Sequence, residues 1–169
     1  MNYKMMGRFL YQILFLEGIL MLPALGISLY CGDWVAAKAF LISVVLALAI
    51  AAVLHRICRG APSAFYAKEG FVCVAASWIV LSLVGCLPFW LSGEIPHFVD
   101  AFFEIVSGFT TTGASIVPAV EDLSKGILYW RSFSHWVGGM GVLVFLLAIV
   151  PSGEQGTGFT MHLLRAESP

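Results

Sequence analysis

Apolar runs of about twenty residues recur along this chain, separated by short polar breaks. The first covers Phe9–Tyr30, with Glu17 and Pro23 inside it, and a Gly32-Asp33 break ends it. The second, Trp34–Leu54, gives way to His55, Arg56, Arg59 and Lys68. The third, Gly70–Leu91, closes on Ser92-Gly93-Glu94-Ile95-Pro96, and the fourth, Ile127–Val150, on Pro151-Ser152-Gly153. A helix rises 1.5 Å per residue, so each run reaches across a hydrocarbon layer of about 30 Å. Between the third and fourth, His97–Ser107 is too short to cross. Pro96 can end the preceding loop, and Asp100 in a first helical turn suits the positive end of the helix dipole. The pattern predicts an all-α membrane protein: four transmembrane helices plus one short re-entrant helix followed by a polar loop. A short buried or interfacial helix is the plainer reading of 97–107 taken alone.

Composition supports that class. The chain is 60% hydrophobic and 11% charged, and its mean hydropathy is +0.92, whereas soluble domains are about one quarter charged. Its net charge of -1 says nothing useful about nucleic acid or acidic partners, and no nucleic acid is expected as a partner. Lys4 and Arg8 precede the first run as in a signal peptide, but that run is too long for a cleavable one and reads as a retained span. Cys31, Cys58, Cys73 and Cys86 have no CxxC spacing and read as small apolar residues. Placement of charge sets the topology. Lys4, Arg8, Arg56, Arg59 and Lys68 fall on one side, which marks the cytoplasm and puts the N-terminus inside. Glu94, Asp100, Glu121 and Asp122 fall outside, with Lys38, Lys125 and Arg131 as the basic minority there. Acidic residues at an outer mouth would concentrate cations, although Glu121 and Asp122 also fit an ordinary solvated loop.

The polar loop is Phe109-Thr110-Thr111-Thr112-Gly113-Ala114-Ser115. Irregular backbone at membrane depth survives only where it is buried in protein or lines a watery cavity. Loops of carbonyls that replace an ion's hydration shell are one known use of such a segment. Gly113 is the position where an unusual backbone angle comes most easily. The expectation is that residues 110–115 help to coordinate a permeating cation, with the carbonyls of Thr110, Thr111, Thr112 and Gly113 presented to it. One loop supplies only part of a coordination shell, so further loops must come from other copies or from a longer polypeptide.

Phe102-Phe103-Glu104, Ser107-Gly108 and the threonine loop together resemble the first pore loop of the TrkH/KtrB potassium uptake proteins. Tyr129–Gly141 resembles the start of their following helix, and His162–Pro169 their cytoplasmic continuation. The resemblance is to the TrkH branch, which carries an extra helix pair before its pore domain. It implies residues 1–69 as that pair with a cytoplasmic loop, 70–151 as one helix–pore-loop–helix repeat, and 152–169 as a cytoplasmic tail. It implies a chain that is the N-terminal part of a longer protein with four such repeats around one pore, and by position a potassium filter of Thr111, Thr112 and Gly113 flanked by Thr110 and Ala114, with K⁺ at Thr111 and Thr112. It further implies a multi-pass protein of a bacterial inner membrane, K⁺ as transported ion with no other cofactor in this chain, a dimer of full-length chains, and a cytosolic nucleotide-binding regulatory subunit. The function expected is that of a pore-forming potassium uptake subunit. A non-conducting assembly fragment or a small homotetrameric cation channel are the alternatives. No HExxH, GxSxG or paired-carboxylate pattern suggests an enzyme.

Other polar residues within the membrane invite roles of their own. Glu104 is expected to hydrogen-bond groups behind the filter together with Ser115, direct ion contact being the alternative. Glu17 reads as a helix contact or a partner for an Arg or His, with ion coupling as the alternative. Arg131 could pair with Asp100, Glu121 or Glu104, or simply snorkel to the interface. His97 and His135 read as interfacial hydrogen-bonders rather than metal ligands. Gly138, Gly139 and Gly141 allow close helix packing or a hinge. Trp34, Trp90, Tyr129 and Trp130 read as interface anchors.

Overall fold

The structure, a computed structural model, describes residues 3–59 and 67–149, with side chains for 6–59 and 72–141. The tail expected at 152–169 lies outside the described residues, as do the side chains of Lys4 and Lys68. The elements are α1 (Tyr3–Leu20), α2 (Leu22–Tyr30), α3 (Trp34–Ile57), α4 (Ala67–Gly85), α5 (Leu87–Leu91), α6 (Phe98–Phe109), a 3₁₀ turn (Val120–Asp122) and α7 (Lys125–Ile149). No strand occurs among the described residues.

The first apolar run folds as two consecutive helices that meet at Met21. Pro23 lacks an amide proton and occupies the first turn of α2, where none is needed. Backbone bonds on either side, Met21 N to Glu17 O at 3.0 Å and Leu25 N to Met21 O at 3.1 Å, carry the ladder through. Asp33 starts α3 as an N-cap, its carboxylate accepting from Val35 N and Ala36 N at 3.2 and 3.1 Å. The buried stripe of α3 is Ala36, Phe40, Val44, Ala47 and Ala51. Mostly small residues at helical spacing let α1 and α3 approach closely. Leu41, Ile42, Val45, Val53, Ile79 and Leu83 are exposed on the outer faces. That much outward apolar surface suits lipid rather than water.

Among the described residues, three segments are long and apolar enough to cross a membrane: Met6–Tyr30, Trp34–Ile57 and Val72–Leu91. The fourth expected span is the 25-residue α7, with side chains described as far as Gly141. The short helix α6 runs to Phe109, two residues past the Ser107 expected from sequence. Its end is held by burial. Phe109 packs edge-on against Trp78 and Trp130, each with ring centroids 6.4 Å away. Trp130 is itself buried and donates its indole N–H to the Gly85 carbonyl at 2.9 Å, which locks α7 to α4. So Trp130, read from sequence as an interface anchor, is a core residue.

Candidate functional site

Contacts along α7 measure depth. Glu94 Oε2 accepts from Ser124 N at 2.8 Å, just before α7 starts. Further in, Glu104 meets Arg131; beyond that, Gly108 lies on Ser134, Phe109 on Gly138 and Thr111 beside Gly139. So α6 descends parallel to α7. Gly139 is fourteen residues into α7, roughly 21 Å along its axis at 1.5 Å per residue. The chain then turns back, because Ile116 N reaches Glu104 Oε2 at 3.0 Å, level with Arg131. The segment therefore enters and leaves on one side.

The turn at the bottom follows from helix-end chemistry. The last carbonyls of a helix need donors. Thr110 N donates to Val106 O at 2.8 Å, Thr111 N to Gly108 O at 2.9 Å, Thr112 N to Ser107 O at 3.0 Å and Gly113 N to Ser107 O at 3.4 Å. This resembles a Schellman cap, with Thr111 in the left-handed position usually held by glycine. Thr111 has φ of 57° and Gly113 a φ of 75°. A β-branched residue in that region stores strain of about 1–2 kcal/mol. The consequence lies in the carbonyls. A trans peptide points its C=O opposite its N–H, and no cis bond occurs among the described residues. With the amides of Thr111, Thr112 and Gly113 turned onto α6, the carbonyls of Thr110, Thr111 and Thr112 face away from it. Among the described residues no backbone amide donates to them or to the Gly113 carbonyl. Residues 110–116 are exposed in this chain. Thr110 Oγ1 bonds Val106 O and Thr112 Oγ1, both at 2.8 Å. The Ala114 carbonyl differs: it accepts from Ser107 Oγ at 2.6 Å. Ala114 frames the loop while its neighbours' carbonyls stay unengaged.

Glu104 holds the returning limb. It is 1% exposed. Oε1 accepts from Arg131 Nε, and Ser115 Oγ lies 3.0 Å from Oε1 and 3.2 Å from Oε2. Of the three acids weighed as partners for Arg131, the structure selects Glu104. Arg131 O in turn accepts from Ser134 Oγ at 2.6 Å and lies 2.9 Å from His135 Nδ1. Gly138 is where α7 touches the loop backbone, since a Cβ there would fall on the Phe109 carbonyl. Gly139 has room, its built Cβ standing 3.8 Å from Thr111 Cγ2, and Gly141 faces Trp78 at 3.4 Å.

Of the two readings of Glu17, the helix contact holds and the pairing with an Arg or His does not. Glu17 is 2% exposed, and neither carboxylate oxygen has a hydrogen-bond partner among the described residues, so no Arg or His there pairs with it. Its contact is with Gly85, where a Cβ would come within 3.0 Å of Glu17 Oε1 and 3.1 Å of Phe109. Gly85 and the role of Ser107 do not stand out in the sequence. Gly85 is one glycine within an apolar run, and the Ser107–Ala114 bond closes only once the loop has turned.

Fold and site together define one unit of helix, re-entrant helix with polar loop, and helix, preceded by a helix pair, in a membrane protein. The family model for TrkH, a cation transport protein, matches residues 36–165. The chain belongs to this family. It is 35% identical over its whole length to the Trk system potassium uptake protein TrkH of Halomonas elongata, covering 34% of that protein. Against TrkH of Escherichia coli K12 it is 38% identical over 93% of the chain and 32% of the relative. An uncharacterized cation transporter of Methanocaldococcus jannaschii is 45% identical over 48% of the chain and 18% of that protein. The chain thus spans about a third of the length of these TrkH relatives.

Proposed function

We propose that this chain supplies the first of several pore loops in a potassium uptake protein, and that its loop forms part of the K⁺ coordination shell. The observation that carries this reading is the one-sided backbone of 110–113: amides spent on α6, carbonyls unengaged and directed away from it. A dehydrated cation takes carbonyl oxygens from several such loops, four in the potassium-channel arrangement. K⁺ is assigned to the carbonyls of Thr111 and Thr112, with Thr110 and Gly113 flanking. Glu104 and Ser115 keep the loop's outer limb in place without touching the ion. The names of the TrkH relatives support potassium as the ion. The same reading takes the protein as multi-pass in a bacterial inner membrane with its N-terminus cytoplasmic, from the arginine-rich side described above. It takes the working form as a dimer of full-length chains with a cytosolic nucleotide-binding subunit.

The test is Gly113→Ala in the full-length protein, expressed in a strain lacking its own potassium uptake. Gly113 has open space around a built Cβ, so any effect comes through its φ of 75°. Moving a side chain into that region costs about 1–2 kcal/mol, which corresponds to roughly tenfold in an equilibrium constant. K⁺ over Na⁺ discrimination in uptake should fall by about that factor while protein level holds. Unchanged discrimination would refute the assignment.

A further inference from the structure

A second site lies at the opposite end of the molecule from the α6–α7 loops. The start of α1 meets the end of α3, and a cavity of about 220 Å³ opens between them, lined by Arg8, Tyr11, His55, Cys58 and Arg59. Cys58 is its buried floor, packed where α1 offers only Gly7. Tyr11 and His55 stand edge to face, with ring centroids 4.9 Å apart. Arg8, His55 and Arg59 are exposed at the rim. The apolar spans begin at Met6 and end at Ile57, so the cavity sits at the membrane boundary. Among the described residues that line it, none is acidic.

We propose that this cavity binds the phosphate of an anionic phospholipid headgroup. Two guanidinium groups provide forked donors matched to phosphate oxygens, and the Tyr11 hydroxyl and the His55 ring N–H add donors from the wall. At about 30 Å³ per liquid water, the volume holds roughly seven waters, ample for a phosphodiester group. Its position favours a lipid over a soluble anion. Acyl chains would continue from the cavity along the exposed apolar flanks of α1 and α3, where Phe15, Leu46, Ile50 and Val53 face outward. Basic pockets between helices on the positively charged side of a membrane protein suit anionic headgroups. Arg56 neighbours the rim residue His55 in sequence yet does not line the cavity, which supplies an internal control.

The experiment is native mass spectrometry of the full-length protein in detergent, titrated with phosphatidylglycerol, with phosphatidylcholine, or with inorganic phosphate. Wild-type protein should retain phosphatidylglycerol over phosphatidylcholine. Arg8→Gln/Arg59→Gln should weaken that retention at least about tenfold, since each charge-assisted bond removed is worth about a tenfold step. Arg56→Gln should leave it within about twofold. If the double variant fails to assemble, Tyr11→Phe/His55→Gln keeps both arginines and should weaken retention severalfold. Equal loss in Arg56→Gln would mean diffuse charge rather than a site and would overturn the proposal. So would retention unchanged in the cavity variants, or phosphate binding without any lipid preference.

Discussion

Replacing Glu104 by Gln tests whether the returning limb of the loop is held by this one carboxylate. The side chain is buried and takes contacts from Arg131, Ser115 and the Ile116 amide. Glutamine keeps the volume but has one acceptor oxygen. Whichever way the amide turns, its NH₂ faces a donor, either Arg131 Nε or Ile116 N. Removing one partner of a buried ion pair costs about 3–5 kcal/mol. Arg131 is 15% exposed and recovers some hydration, so the lower end, about 3 kcal/mol, is the expected loss. Arg131→Met in the same background removes the donor that clashes. The introduced glutamine can then turn its oxygen to Ile116 and Ser115. The double variant should therefore be more stable than the sum of the two single losses, by about 1–3 kcal/mol. The assay is unfolding of the full-length protein in mixed micelles of increasing SDS fraction, for wild type, both single variants and the double. Losses that add to within about 0.5 kcal/mol would show that the two residues do not act on each other, and the reasoning would fail.

Three further outcomes follow from the packing. Gly138→Ala puts a methyl onto the Phe109 carbonyl, a backbone atom that cannot swing aside, and should cost about 1–3 kcal/mol and lower uptake, whereas Gly139→Ala should be tolerated; equal tolerance in a growth assay on limiting potassium would refute the contact. Glu17→Leu removes a buried carboxyl with no hydrogen bond and should raise stability by about 1–3 kcal/mol in the same SDS unfolding assay, and a loss of stability would mean that Glu17 has a partner after all. Ser107→Ala frees the Ala114 carbonyl and should cost about 1 kcal/mol in that assay, with a shift in ion selectivity if that carbonyl then turns toward the ion.

The spans are legible in the sequence because twenty apolar residues in a row have few other fates, and the re-entrant helix because its length falls short of a crossing. Glu104 is legible as a residue behind the loop, since an acid on a short membrane helix needs a partner. Which of three acids pairs with Arg131 is not, because Asp100, Glu104 and Glu121 are equivalent until α6 is laid parallel to α7. Trp130 misleads for a related reason. Aromatic residues near span ends usually anchor at the interface, but here α4 presents its Gly85 carbonyl at the right depth. For Glu17 the sequence leaves a helix contact and an ion pair open; the structure sets it against Gly85, with no hydrogen-bond partner among the described residues. The loop's threonines are marked by composition, yet composition does not tell which carbonyls are consumed locally. That depends on the cap formed at Thr110–Gly113.

On the proposed reading, that cap also changes how α6 would act on a K⁺ held by the loop. The position of the loop in the sequence suggests a helix whose negative end faces the cation directly. In the structure the carbonyls of Val106, Ser107 and Gly108 are already occupied by loop amides, and the Phe109 carbonyl is covered by Gly138. The helix end is therefore not the ligand. Its field is instead passed through the peptide units that bond to it. Each of the amides of Thr111, Thr112 and Gly113 is polarised by a helix carbonyl, and the opposite end of the same peptide is a loop carbonyl. Hydrogen bonds in such chains strengthen one another by about 10–30% per bond. The left-handed angle at Thr111 is what aligns these units, since a residue with ordinary angles there would break the cap and turn its carbonyl aside. Thr111→Gly separates the side chain from the backbone it shapes. It relieves about 1–2 kcal/mol of strain and loses about 0.5–1 kcal/mol to chain entropy, leaving stability equal to wild type or up to about 1.5 kcal/mol higher. Because the cap and its carbonyl directions survive, K⁺ discrimination in the full-length protein should stay within about threefold of wild type, a factor worth less than about 1 kcal/mol. A collapse of discrimination with intact stability would show that the Thr111 side chain, and not the backbone it shapes, carries the selectivity.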